Sequence, residues 1–424
     1  MNSTLELLTQ SLRWIAILAL QILFLVTSES ALTGQQRQPE KDKDAVLRVV
    51  FFCPSDVEPP EGVKERLEQY IDYAQDFYSK WMKHWGYECT GILPVKRDAD
   101  GTPEILFVKG LHTEASGAYR ELGFQNEVIN SACREHSLNP KGQVWWIFTY
   151  KGPEKRGFRG GGNARRGGIS TAIYYPEAEA NLKLEDHLGG PNVPKNAKAC
   201  IHELGHALGL PHIGPVESDR MGNSLMGPIV KAFAARFPNE ERVYLTKASA
   251  AMLWKHPLFD GSGENRDHAP EFTIKSFKVS PSRSRKSLVV RGSIETQDNV
   301  HSIVIAKESK LTQSEYWRKC YATRVSDDGS FEVEISELDR ADGLLRIVCC
   351  FENGSVVGAE SRYGLGNGFV KQYSYQNGKY EFEKGWSSPK TSIKGRGDQR
   401  RRRPSARRTA PPRRSGPPGV RRLR

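Results

Sequence analysis

Residues 199–212 read Ala-Cys-Ile-His-Glu-Leu-Gly-His-Ala-Leu-Gly-Leu-Pro-His, and no other stretch restricts the fold as tightly. His202 and His206 stand four apart, so on a helix both imidazoles emerge from one face about a turn apart. Glu203 lies beside the point at which they aim. Gly209 can take the positive φ that ends a helix, and the chain can then fold back to bring His212 to the same point. The spacing H-E-x-x-H-x-x-G-x-x-H therefore predicts a helix over about 196–208, a sharp reversal, and three converging imidazoles. Three neutral imidazoles with one open position make a catalytic rather than a structural Zn²⁺ site. Glu203 is then placed as general base toward water at that metal.

The extended motif resembles that of the metzincin zinc endopeptidases. The resemblance covers about residues 46–258. It is very specific over 202–212, moderate at 223–228 and architectural elsewhere. It implies a methionine-containing turn beneath the metal, for which Asn223-Ser-Leu-Met-Gly-Pro228 is the candidate, with Met226 in the central role and Met221 as a weaker competitor. In some relatives a tyrosine near that turn helps stabilise the oxyanion, and Tyr244 is the nearest downstream. Ile213 stands where several subfamilies have a polar residue, which leaves the subfamily open. The resemblance also implies an order of strand, helix, strands, edge strand, zinc helix, Met-turn and helix.

The chain matches that order. Ala45–Phe52 is β-branched and aromatic, a strand pattern. Apolar residues from Leu67 to Trp81 recur near a 3.6 period and predict a helix over about 63–85. Ile92–Val95 and Ile105–Val108 read as strands, 117–136 as a helix, and Val144–Tyr150 as a strand covered on both faces. Gly157–Gly168 is glycine-rich but lacks the Lys-Ser/Thr of a phosphate-binding loop, and reads as a surface loop. Ile169–Tyr175 falls where the resemblance puts the edge strand that binds extended peptide by strand addition. Val243–Lys255 reads as the last helix. From 270 to 365 short alternating strands with Asp-Gly and Asn-Gly turns predict an all-β, immunoglobulin- or fibronectin-like sandwich. The expected fold class is thus mixed α+β: a metzincin-like catalytic domain over 46–265, with a twisted mixed sheet, followed by an accessory sandwich.

The ends carry different signals. Arg13 precedes a thirteen-residue apolar run, Trp14–Val26, and small residues follow to Ala31. That length suits a cleaved export signal over 1–31 and is short for a membrane span. It implies a secreted protein, extracellular or periplasmic, with no transmembrane segment after cleavage. A short polar linker over 32–45 contains no cysteine to occupy an open metal position, so cysteine-based latency is not expected. From Thr391 onward thirteen Lys or Arg accompany one Asp, which accounts for the whole net charge of +12. The segment 387–424 is rich in Arg and Pro and reads as a disordered basic tail, suited to an anionic surface or polyanion by charge alone rather than to specific nucleic-acid recognition. Seven cysteines fall outside any C-x-x-C pair, so a cysteine metal site is not expected. If Cys349 and Cys350 lie on a strand, they face opposite ways. The remaining histidines have no ligand spacing and read as surface groups.

The functional expectation is a secreted zinc-dependent endopeptidase acting on protein or peptide, with Zn²⁺ on His202, His206 and His212, Glu203 as base and Met226 beneath. Two alternatives share parts of this reading. One is a zinc amidase acting on a non-protein amide; the other is a non-catalytic adhesion or polyanion-binding protein.

Overall fold

The computed structural model describes residues 45–385 except 154–159, 165–166, 177–181, 184–186, 191–192, 194–195, 262–265, 283–286, 361, 365 and 367. The expected export signal, most of the polar linker and the basic tail lie outside the described residues.

The apolar runs at Leu47–Cys53 (β1) and Val144–Thr149 (β3) pair in parallel at the centre of a five-stranded sheet. Ile105–Lys109 (β2), Gly161–Asn163 (β4) and Ile169–Ile173 (β5) complete it in the order β2-β1-β3-β5-β4. Alternate residues of β1 and β3 serve different cores. Val49, Phe51, Trp146 and Phe148 pack with Leu67, Tyr70 and Phe77 of helix α1 (Val63–His84) and with Ile201 and Leu204 of helix α3 (Ala197–Ala207). Val50, Phe52, Trp145 and Ile147 pack with Val128 and Ile129 of helix α2 (Gln125–His136) on the opposite face. Both faces are covered, which is why these strands show no polar alternation.

Three expectations shift. Only β4 runs antiparallel, and β4 rather than β5 is the edge strand on the α3 side, β2 being the other edge; β5 pairs with β3 on one side and β4 on the other. The helix expected from 117 begins at Gln125, because Gly117 at φ 76° closes a 3-10 turn and a second 3-10 turn follows at Leu122–Phe124. Ile92–Val95 is not a strand: Leu93 sits at φ 47°, and this segment makes one bridge, Val95 to Leu47.

Beyond α3 the chain makes a two-residue strand, Asn223–Ser224 (β6), a short helix, Val230–Ala234 (α4), and Val243–Tyr244 (β7), which pairs in parallel with β6. Helix α5 (Lys247–Leu253) starts later than the sequence suggests, with the Thr246 hydroxyl accepting from the Ser249 amide as its cap.

Two antiparallel sheets follow. Phe272–Pro281 (β8), Leu288–Thr296 (β9) and Ser330–Ile335 (β12) form one, in the order β12-β9-β8. Val300–Ser309 (β10), Lys319–Arg324 (β11), Gly343–Phe351 (β13), Val356–Val357 (β14), Phe369–Gln376 (β15) and Lys379–Phe382 (β16) form the other. Its strands continue through Phe382, past residue 365. The second sheet is buried on both sides. Ile303, Ile305, Ile347 and Cys349 pack against Val290, Ile294 and Phe331 of the three-stranded sheet. Val304, Ala306, Ala322, Val348 and Cys350 turn the other way, into the core that holds α1 and α3. Cys349 and Cys350 do face opposite ways, and all seven cysteines are free thiols. Among the described residues, no helix is long and apolar enough to cross a membrane.

Candidate metal centre

Helix α3 begins where the Asn196 side-chain amide donates to the Ile173 carbonyl at 2.7 Å, tying its first turn to the end of β5. Ala197, Cys200, Ile201, Leu204 and Ala207 bury one flank, which leaves His202, Glu203 and His206 to one side of the apolar stripe. The helix ends as the sequence predicts. Gly209 takes φ 101°, its amide donates to the His206 carbonyl at 3.1 Å, and the Leu210 amide donates to the Gly205 carbonyl at 2.9 Å. This paired closure satisfies two terminal carbonyls and reverses the chain toward His212.

The three imidazoles meet. Ring centroids of His202 and His206 are 4.6 Å apart, of His206 and His212 4.6 Å, and of His202 and His212 5.4 Å. All three are buried, and one ligand atom from each lies within 4.8 Å of the others. Every Nδ1 faces an oxygen. His202 Nδ1 lies 2.8 Å from the Leu225 carbonyl, His206 Nδ1 2.7 Å from the Leu210 carbonyl, and His212 Nδ1 2.8 Å from Glu315 Oε1. Placing each Nδ1 proton toward its oxygen, although the His212–Glu315 contact is close without being aligned as a hydrogen bond, leaves three Nε2 lone pairs, those of His206 and His212 only 3.0 Å apart. Acceptors that close repel one another unless a cation lies between them. The donor set fits a zinc ion: three neutral nitrogens, each oriented through its other ring nitrogen.

The electrostatics favour neutral imidazoles at His202 and His206. Burial, followed by the neighbouring His206, holds His202 well below the ordinary histidine range. Burial and then His212 hold His206 down to about 3. Burial raises Glu203 to about 7, which suits a carboxylate meant to exchange a proton near neutrality. Lys198, one turn before His202, is lowered to about 7 by burial, and its ammonium donates to the Gly227 and Pro228 carbonyls.

The segment 223–228 lies under α3. Met226 is buried with its sulfur against Gly205, where an added Cβ would come within 2.5 Å of Sδ. The Ile213 amide donates to the Met226 carbonyl at 3.2 Å, and Leu225 supplies the oxygen that faces His202. Met221 is only partly buried and stands outside that core. Tyr244 does not present its hydroxyl to the imidazoles. It accepts from the Val216 amide at 2.9 Å and donates to Asp219 at 3.2 Å, so it braces the loop after His212.

Other residues at the centre escaped the sequence reading. The Tyr316 ring lies 3.8 Å from His212, and the Tyr363 ring stacks on His206 at 4.6 Å. Glu315, beside His212, is held to about 2 by that contact first, against the effect of its own burial; Arg362 and Arg318 add to the lowering. These residues come from turns between strands of the antiparallel sheets, more than a hundred positions downstream, with no spacing signal to connect them to the motif. The glycines before and within β4 also matter. A Cβ on Gly162 would meet the Glu203 carbonyl at 2.5 Å and His206 Cβ at 2.8 Å, and one on Gly160 would meet the Glu203 side chain at 3.0 Å. The glycine-rich stretch is therefore partly a strand laid across the motif helix, not only a surface loop. His256 and His301 are buried rather than on the surface: His256 Nδ1 accepts from the Leu258 amide, and His301 packs edge-on against Trp254. Among the described residues, His202, His206 and His212 are the group arranged to hold a metal.

No family model matches the sequence, and no curated protein does. Solved structures do. A catalytically inactive form of OgpA from Akkermansia muciniphila, in complex with an O-glycopeptide (glycodrosocin) substrate, superposes with a TM-score of 0.60 at 19% identity, covering 80% of this chain and 95% of that one. Wild-type OgpA from the same organism gives a TM-score of 0.59 at 20% identity over the same shares. At this identity the likeness is one of fold, and it spans both the mixed sheet and the antiparallel sheets.

Proposed function

We propose that this chain is a zinc-dependent endopeptidase of metzincin type. The observation that carries the reading is the convergence of three buried imidazoles, each with Nδ1 against an oxygen, beside a carboxyl group whose pKa is about 7. His202, His206 and His212 would hold the ion, and Met226 would form the floor of a Met-turn. When bound, zinc supplies Lewis acidity toward a scissile carbonyl and makes nearby water more acidic. Glu203 takes the proton of the attacking water and delivers it to the departing amine nitrogen, cycling between carboxylate and acid. Burial that raises its pKa toward 7 makes both halves of that cycle accessible near neutrality.

The substrate would lie along the free edge of β4 as an added strand. Glycines at 160–162 bring that edge close over Glu203 and His206. The O-glycopeptide bound by OgpA makes a glycosylated peptide the first substrate class to test, and the apolar run at 14–26 makes an exported enzyme the natural setting. Within this reading the catalytic domain spans 46–265, the β-sandwich begins at 270, and the basic tail from 387 serves anionic surfaces.

The test is Glu203→Gln with metal analysis and a panel of glycosylated and plain peptides. Zinc should remain bound at one per chain while cleavage falls by about 10²–10⁴-fold. A parent protein that binds no zinc, or a variant that cleaves as well as the parent, refutes the reading. Binding without cleavage of any peptide amide would favour the amidase alternative.

A further inference from the structure

The third histidine of the motif meets a side chain from a turn more than a hundred residues downstream. We propose that Glu315 is the positioning residue of the metal centre, and that the loop at Ser314–Lys319 completes the site in trans to the motif helix. This rests on the zinc reading above and goes beyond it, since nothing in the H-E-x-x-H-x-x-G-x-x-H spacing supplies a partner for the His212 Nδ1.

The docking of this loop is specific. The Gly214 amide donates to the Arg318 carbonyl at 2.6 Å, and the Lys319 ammonium donates to the Pro215 carbonyl. Any Cβ on Gly214 would stand 2.7 Å from Trp317 Cα, so glycine is what permits the approach. The loop thus runs alongside residues 212–216 and sets Glu315 Oε1 2.8 Å from His212 Nδ1. The next side chain, Tyr316, lays its ring against the same imidazole. Glu315 is itself held from behind. Arg362 Nη2 lies 3.6 Å from its second oxygen and 3.4 Å from Glu360, and Glu360 pairs with Arg318 at 2.8 Å. Arg318 in turn meets Glu308 at 3.2 Å. An imidazole whose Nδ1 proton is drawn to a carboxylate keeps one tautomer and one ring orientation, and its Nε2 becomes the more basic ligand. His202 and His206 meet backbone carbonyls instead, so His212 is the histidine with a charged partner, and that partner comes from the 3-10 turn between β10 and β11.

The test uses the full chain. Zinc stoichiometry and affinity of the parent are measured by competition with a chromophoric chelator, then those of Glu315→Ala, Glu315→Gln and Arg362→Ala. Removing an outer-shell partner of this kind costs about 10–100-fold in metal affinity. Glu315→Ala should show that loss. Glu315→Gln, which keeps an oxygen acceptor but not the charge, should lose less, and Arg362→Ala less again. The cobalt-substituted absorption bands of Glu315→Ala should differ from the parent's, while the unfolding midpoint of the metal-free protein stays within a degree or two. Equal zinc affinity in Glu315→Ala and parent overturns the proposal and leaves the zinc reading standing. So does a loss of affinity that appears only together with a lowered metal-free midpoint, since the role would then be structural. A parent that binds no zinc overturns the zinc reading and this proposal with it.

Discussion

Burial changes the acid–base chemistry of Glu203. Its ordinary pKa near 4.5 becomes about 7 because the carboxylate is desolvated. The folded protein therefore holds its proton more tightly than the unfolded chain. The associated stability is fully present below about pH 4.5 and is lost as pH rises through about 7. Metal-free Glu203→Gln should accordingly gain stability relative to metal-free parent between pH 5 and pH 8, measured by urea unfolding at both; a pH-independent difference would sink this account. Gly205 makes a second residue-scale prediction. An alanine there would press on Met226 Sδ, and overpacking of this kind costs about 1–3 kcal/mol. Combining Gly205→Ala with Met226→Ala should cost less than the sum of the two single changes, because the contact that is overpacked no longer exists. At this scale the sequence was most legible. His202, His206, His212 and Gly209 stand where the spacing puts them, since helix pitch and a glycine cap are local rules. Tyr316 and Tyr363 were not legible, because no local rule links them to the helix.

At the scale of elements, the edge strand was misplaced by one. Ile169–Ile173 carries the β-branched pattern of a strand, but that pattern reports burial between neighbours rather than an edge. The edge is Gly161–Asn163, whose glycines look like loop by composition. They are glycine because the strand lies almost on the backbone of α3. Gly162→Ala should therefore lift β4 from Glu203 and His206, lowering cleavage by at least tenfold while zinc affinity changes little; peptide cleavage and chelator competition measured together check this. An alanine variant with parental activity would show that β4 does not carry the substrate. The late start of α2 has a similar cause. Its apolar periodicity continues upstream, but Gly117 at positive φ and two 3-10 turns divide it.

At the scale of the whole molecule, the antiparallel sheets share a core with the helices. Val304, Ala306, Cys320, Ala322, Val348 and Cys350 belong to the core that holds α1, α3 and α5. Tyr87 meets Ser302 at 3.2 Å between their hydroxyl oxygens, and the Arg324 guanidinium lies over the rings of both Tyr87 and Trp254, at 4.0 and 3.9 Å. A fragment ending at 270 would expose this apolar surface and lose Glu315. It should show no cooperative unfolding transition and should bind a hydrophobic dye, whereas the 45–385 chain should melt cooperatively; a well-folded, active fragment would refute the shared-core argument. The sequence by itself determined the imidazole triad, the helix and its glycine reversal, and most strand runs of both regions. Each of these follows from periodicity or from conformational rules that act over a few residues. Tertiary structure alone decided which strand lies over α3, which tyrosines line the imidazoles, and that Glu315, from the 3-10 turn ahead of β11, faces His212. The tyrosine and carboxylate contacts join residues a hundred or more positions apart, beyond the reach of any rule that acts over a few residues.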